Sequence, residues 1–244
     1  MRIGILGPGR LGRTLARLFA ERGHDVDLGG RGAHPVGDVV FLTVPDGSLP
    51  EAAAGLPPGP IVLHCSGAAP VDVLRPHAPA GSLHPLMTFP GPDVSIPDLR
   101  GVPAAVEGDA RAVEVATELA LDLGFSVIEV RGDRRLYHAA AVMAGNLTSV
   151  LFADAARVLT ECGVDPSRAS SALLPLALQS LRNAAEHPDR ALTGPVARGD
   201  EATIGGHRAA LEAAGFVTLL PEYDALTKRA RLLLRGRTPS FEQG

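Results

Sequence analysis

The chain has no tryptophan, two tyrosines, two cysteines and one lysine, Lys228, among its 244 residues. Each shortage excludes something. Cys65 and Cys162 stand far apart and form no C-x-x-C pair, so neither a disulfide framework nor a zinc site is expected, and a reducing, cytoplasmic setting fits. The scattered histidines have no metal-ligand spacing, and no metal is expected. With a single lysine, any chemistry that needs an active-site amine must use Lys228 or do without. A net charge of -4 supplies no basic field for nucleic acid or anionic lipid, and neither is expected as a partner. No basic-then-apolar leader is present, and no apolar run approaches the roughly 18 residues that cross a bilayer. What remains is a globular composition, 45% hydrophobic and 20% charged, with room for one large or two modest domains.

The most informative stretch is Arg2 to Gly12, RIGILGPGRLG. A short apolar run with β-branched residues predicts a buried strand, and Leu11, Leu15, Leu18 and Phe19 predict an amphipathic helix directly after it. Between them Gly7, Gly9 and Gly12 fall at the spacing G-x-G-x-x-G. The first glycine permits the turn out of the strand, the second lets a pyrophosphate approach the backbone, and the third lets the helix pack closely on the sheet. The free N–H groups of the helix start would face the phosphates. Gly7, Pro8, Gly9, Arg10, Leu11 and Gly12 are therefore candidate dinucleotide-binding residues.

Asp25 to Leu28 reads as the second strand. An acidic residue at the end of this strand would select NAD through the ribose 2′-hydroxyl; here stand Gly29, Gly30 and then Arg31. An arginine there suits a 2′-phosphate, so NADP(H) is expected, with a solvated loop arginine as the alternative. The next strand, Asp38 to Val44, follows too soon for a helical crossover, which takes a dozen or more residues, so this half is abridged. Asp46 is a candidate N-cap for a short helix ending at Ala54. Ile61 to Cys65, Ser82 to His84, Gly101 to Glu107 and Phe125 to Val130 read as further strands, with Asp109 capping a helix that ends at Gly124. Val44, Pro45 and Ser66, at strand ends, are expected to line the crevice for the nicotinamide.

From Asp133 the pattern turns helical, which sets domains at 1–132 and 133–244. One helix is expected from Asp133 to Cys162, with Gly163 as its left-handed stop. Asp165-Pro166 starts another, which Pro175 should kink or restart. Ala191 to Asp200 reads as a loop, and helices follow from about Glu201 to Ala214 and from Pro221 to about Arg235.

The stretches GPGRLG, VPD, HCSGA, SLHPLMTF, GVPAAVEG, YHAAAVMAGN, PLALQSLRN and ALTGPVARGD, in this order, resemble the Rossmann-like proteins that carry the C-terminal domain of unknown function 2520. The resemblance implies an α/β fold, a Rossmann-type parallel sheet followed by an all-α domain like that of pyrroline-carboxylate reductase, ketopantoate reductase and the 3-hydroxyacid dehydrogenases. It also implies a homodimer joined through the helical domain. The latter two relatives use a lysine and an asparagine one turn apart on the long helix. Asn146 matches the asparagine, but Val142 stands where the lysine would be. His138 lies one turn further back, about 80° round a regular helix from Asn146, and histidine suits a general acid near neutral pH.

The candidate catalytic residues are His138, Asn146 and His84, the last either touching nicotinamide or fixing its loop. Thr193, Arg198 and Asp200 are candidates for the substrate, Arg198 gripping a carboxylate; the alternative is that Arg198 and Asp200 pair and cap the next helix. His64 and Cys65 read as structural. Two functions fit: an NADP(H)-dependent oxidoreductase for a small C=O or C=N compound, or a non-catalytic NADP(H)-binding sensor or scaffold.

Overall fold

Strand β1 (Arg2–Leu6) is buried over all but its first residue, with Ile3 and Ile5 fully enclosed, so the apolar run at the N-terminus forms an interior strand of the sheet. A computed structural model defines the fold for residues 1–91, 94–96 and 98–236; the expected helical region's last residues, 237–244, lie outside those described. The other strands are β2 (Asp25–Gly29), β3 (Val39–Leu42), β4 (Ile61–His64), β5 (Ala80–Pro85), β6 (Pro103–Gly108) and β7 (Ser126–Ile128). They lie in the order β2-β1-β3-β4-β5-β6-β7. The first five are parallel; β6 is antiparallel to β5 and parallel to β7, so the sheet is mixed.

Side chains of successive strand residues alternate between two apolar layers. One contains Ile3, Ile5, Phe41, Leu63, Leu83 and Val106, covered by α1 (Arg10–Glu21) and α3 (Ala110–Asp122). The other contains Val40, Leu42, Val62 and Ala80, covered by α2 (Leu49–Ala54) and the 3₁₀ turn Val71–Leu74. Full burial of side chains this size contributes roughly 1.5–3 kcal/mol each.

The abridged half is plain in the strand order: β2 leads straight to β3 on the far side of β1. The connecting segment crosses β1 at Gly4, where an added Cβ would sit 3.1 Å from the Pro35 carbonyl oxygen, and Asp38 N then donates to Arg2 O at 2.8 Å.

Several capping expectations need correction. Asp109 stands before α3 but accepts nothing from that helix; its carboxylate accepts from Ala80 N at 2.8 Å and pairs with Arg75, tying β5 to its neighbour. Asp46 opens a 3₁₀ turn, and α2 begins only at Leu49, without a side-chain cap.

The chain divides into two compact units, Met1–Asn146 and the remainder from Leu147. The change from strands to helices comes earlier, at Asp133, whose carboxylate caps α4 (Arg134–Val142) by accepting from Arg135 N. The expected single helix is interrupted: α4 passes through a π-helical segment, Met143–Leu147, before α5 (Thr148–Glu161). Arg134–Glu161 is, by length and composition, apolar enough to cross a membrane, so the expectation that no such run exists is corrected; its weakly polar residues hide it from a count of apolar positions.

The second unit also holds α6 (Pro166–Glu186), α7 (Gly194–Arg198), α8 (Glu201–Ala213) and α9 (Leu220–Arg235). Asp165 caps α6, and Gly163 takes φ +87° after α5. Pro175 does not restart α6, which continues through it. The stretch expected as a loop contains α7, ended by Gly199 at φ +67°, with Asp200 capping α8 through Thr203 N.

Gly12→Ala would place a methyl carbon 2.0 Å from Gly7 O, whereas Gly9→Ala would meet nothing within 4 Å. Thermal unfolding is expected to show Gly12→Ala destabilised by about 1–3 kcal/mol, the range for overpacking, and Gly9→Ala close to wild type.

Candidate functional site

The C-terminal ends of β1, β3, β4 and β5 share one edge of the sheet, where the glycine loop, Thr43–Asp46, Cys65–Ala68 and His84 gather. Gly7 leaves β1 at φ +120°, its N–H donating to Gly29 O at 3.0 Å. The Thr43 hydroxyl donates to Gly7 O at 2.7 Å, and the same hydroxyl would lie 2.5 Å from a Cβ on Gly12. These two glycines are demanded by the chain's own packing.

Gly9 is different. Its φ of -72° and ψ of -171° suit any residue, and nothing of the protein occupies the space beside it. It is also the N-cap of α1, whose first turn has no side-chain cap and no acidic residue. Open space, free N–H groups and positive helix potential together fit a pyrophosphate. Arg13 Nε steadies the loop by donating to Pro8 O at 2.7 Å, while Arg10 is exposed and Leu11 half-buried.

At the end of β2 the Asp27 carboxylate is taken up by Val36 N at 2.8 Å, and Gly29 and Gly30 follow without side chains. Arg31 is exposed next to them. Val44 is half-buried and Pro45 exposed just beyond β3.

Beside the glycine loop's edge lies a histidine–tyrosine cluster. His84 Nδ1 and the Tyr137 hydroxyl are 2.8 Å apart, and the ring of His138 stands edge-on to His84 at 6.0 Å between centroids. Gly67 makes room for both imidazoles: a Cβ there would lie 2.7 Å from His138 Cδ2 and 2.8 Å from His84 Nε2. Burial, then the Arg134 guanidinium and then His138, push the His84 pKa down to about 4, against the opposing charge of Asp46. Burial also raises the Tyr137 pKa, so the phenol is protonated and the imidazole neutral around pH 7.

Below this cluster a polar row crosses three strands. His64 is paired in register with Ser82, and Ser82 with Glu107, all on the face opposite Leu63, Leu83 and Val106. His64 Nδ1 accepts from Ser66 N at 3.2 Å; burial, followed by Arg134, pushes its pKa down to about 4. His64 Nε2, Ser82 Oγ and Arg134 Nε are buried without a hydrogen-bond partner among the described residues. Cys65 is inert by comparison, its thiol pushed up to about 12 by burial.

Residues 102–230 match the family described as Domain of unknown function (DUF2520). The chain belongs to that family. The matched region begins just before β6 and includes α4, so Arg134, Tyr137, His138 and Asn146 are family-domain residues, whereas the glycine loop lies before it. Among solved structures, protein BF3122 of Bacteroides fragilis, a candidate NADP oxidoreductase, is similar with a TM-score of 0.81 at 22% identity, over 95% of this chain and 98% of that one. A reductive aminase from Aspergillus terreus, in complex with NADPH and ethyl levulinate, is similar at 0.69 and 18% identity, over 97% and 94%. A curated glycerol-3-phosphate dehydrogenase [NAD(P)+] of Gloeobacter violaceus is 35% identical over 124 residues; the match spans 43% of this chain and 40% of that enzyme.

Of the residues singled out in the sequence, His84 and His138 meet in the first unit. Asn146 is exposed in the π-helical segment, so the regular-helix angle expected between it and His138 does not apply. Ser66 is held from within the chain: its hydroxyl accepts from Ala68 N and Ala69 N, its N–H donates to His64 and its carbonyl accepts from Arg134. Thr193, Arg198 and Asp200 belong to the second unit; Thr193 precedes α7, Arg198 ends it exposed, and Asp200 is occupied as a cap. Sequence reading passed over Tyr137, Arg134, Glu107 and Thr43. A cation immediately after the cap of a helix is the one local anomaly that flags Arg134.

His64 and His84 are neutral in the folded state down to about pH 4 but titrate near 6.5 when unfolded, so the stability they give is full above pH 6.5 and is lost as pH falls from 6.5 toward 4. Melting temperature is expected to drop across that window with uptake of up to about two protons on unfolding. His84→Asn should remove about half of the slope; a flat profile in the wild-type chain would contradict the neutral assignment.

Proposed function

We propose that the chain is an NADP(H)-dependent oxidoreductase of a reducing, cytoplasmic compartment, acting on a small compound with a C=O or C=N bond. The observation that carries this is Gly9, a glycine the fold itself does not need, open over the uncapped start of α1. Arg31, with the Asp27 carboxylate near the end of β2 already taken up by Val36 N, favours the 2′-phosphate form. Relatives whose names record NADPH, NADP or NAD(P)+ support the same cofactor, and the reductive aminase supports imine or carbonyl chemistry.

When bound, the nicotinamide supplies or takes the hydride. The chain's part is to hold the phosphates on the glycine loop and to move a proton. Tyr137 donates its hydroxyl proton to the substrate oxygen or nitrogen. Nδ1–H of neutral His84 restores it across the 2.8 Å contact, while Nε2 takes a proton from water. We thus assign the donor to Tyr137 backed by His84, with His138 flanking them and Asn146 orienting the substrate. Arg198, exposed and separate from the capping role of Asp200, is the residue we assign to a substrate carboxylate.

Calorimetric titration with NADPH and NADH comes first. Tighter NADPH binding is expected, with Arg31→Ala lowering NADPH affinity about tenfold, the worth of one hydrogen bond to a charged group. Single-turnover measurements over keto and imino acids should then show Tyr137→Phe slowing hydride transfer by about 10²–10⁴ with NADPH binding kept. Absence of binding to either dinucleotide sinks the reading. Binding without transfer to any compound leaves a dinucleotide-responsive sensor or scaffold as the function.

We also propose a homodimer through the helical unit. Ala169 is the only buried residue of α6, while Leu174, Leu176, Leu178 and Leu181 are each close to half exposed or more; on α5, Val150 and Leu151 are likewise open. Apolar surface of this extent on a soluble chain marks an interface. Sedimentation is expected to give a dimer that Leu178→Glu/Leu181→Glu converts to monomer; a wild-type monomer at micromolar concentration would refute it.

A further inference from the structure

Arg134 is the first residue of α4, where a positive charge opposes the helix dipole, and it is only 7% exposed. Burial of a charged pair is weak evidence of stabilisation, since apolar residues of similar volume commonly serve as well. Its contacts give it a different use. Nη1 donates to Glu107 Oε2 at 2.8 Å, and Nη2 to Ser66 O at 2.8 Å. Cζ lies 6.0 Å from the ring centroid of Tyr137, three residues along the same helix face. Glu107 is in register with Ser82, two residues before His84 on β5. Ser66 is itself fixed by three further hydrogen bonds. One side chain therefore ties together the β5–β6 ladder, the turn after β4 and the first turn of α4.

We propose that Arg134 is a positioning residue: gripped by Glu107 and the Ser66 carbonyl, it holds the first turn of α4 so that the Tyr137 hydroxyl stays on His84 Nδ1. This rests on the reading of Tyr137 and His84 as the proton-moving pair. The guanidinium, after burial, also disfavours a proton on His84. The charged and titratable groups around His84 are Arg134, Tyr137 and His138 from α4, Asp46 from the turn after β3, and His64 from β4. Glu107 on β6 reaches it through Arg134. After burial, Arg134 is the largest influence keeping His84 neutral.

The test follows His84 by NMR of the full chain labelled on histidine nitrogen, with NADPH bound and His84→Asn giving the assignment. In the wild-type protein His84 is expected to stay neutral to about pH 4. In Arg134→Gln/Glu107→Gln, made together so that no carboxylate is stranded, its midpoint should rise part of the way toward 6.5, because burial remains. Hydride transfer should fall by up to about a hundredfold, the cost of a small misplacement, with NADPH affinity unchanged. Arg134→Lys keeps the charge without the two-point grip, so it should hold the low midpoint yet lose transfer. An unmoved midpoint in the double variant, or wild-type transfer in Arg134→Lys, overturns the proposal. If the double variant fails to fold, judged by circular dichroism and NADPH binding, Arg134→Lys decides alone. A wild-type chain that transfers no hydride ends the functional reading, while the His84 midpoints still decide the role of Arg134.

Discussion

The carbonyl oxygen of Gly7 lies where a side chain on residue 12 would begin, and the first three strands of the sheet depend on that contact. Helix α1 can reach the sheet only because both positions are bare, and Thr43 closes the arrangement by donating to the same carbonyl. Three strands are fixed by it at once: β1 through Gly7, β3 through Thr43, and β2 through the Gly7 N–H on Gly29. The open place at Gly9 is then a by-product of rigidity around it, a backbone surface already formed beside open space. Binding to such a surface spends little on ordering loops.

The cluster at the end of β5 follows a different logic. The buried imidazole of His64, the half-buried one of His84, a buried guanidinium and a half-buried phenol share one corner of the first unit, and their charges are resolved by keeping these two histidines neutral. The guanidinium keeps its charge, which Glu107 compensates. Under the proposed function the absent lysine is no obstacle, because a neutral imidazole can pass a proton from one ring nitrogen to the other and a protonated phenol can donate.

What the sequence made legible was local. The caps at Asp133 and Asp165 and the left-handed stop at Gly163 depend on residues two or three positions away, and all three are in place. The glycine loop was legible because its spacing expresses steric demands of a strand–helix junction. Asp109 and Asp46 look the same as the true caps in a local window, but Asp109 is claimed by Ala80 and Arg75, at long range. The reversal of β6 has no local signature either. His84 and Tyr137 are separated by 53 positions, and only the fold of the whole first unit brings them together. The π-helical segment escaped because one added residue leaves the apolar pattern of a long helix nearly unchanged.

The direct passage from β2 to β3 leaves β2 at the margin of the sheet, and β7 forms the other margin. An unpaired strand offers its backbone to any neighbouring chain and is a template for aggregation. Here one margin is only three residues long, and the other bears Asp25 and Asp27, with Asp25 paired to Arg2. Brevity at one margin and negative charge at the other therefore both work against strand-by-strand addition of a second chain, even though the short passage from β2 to β3 leaves β2 without an outer neighbour.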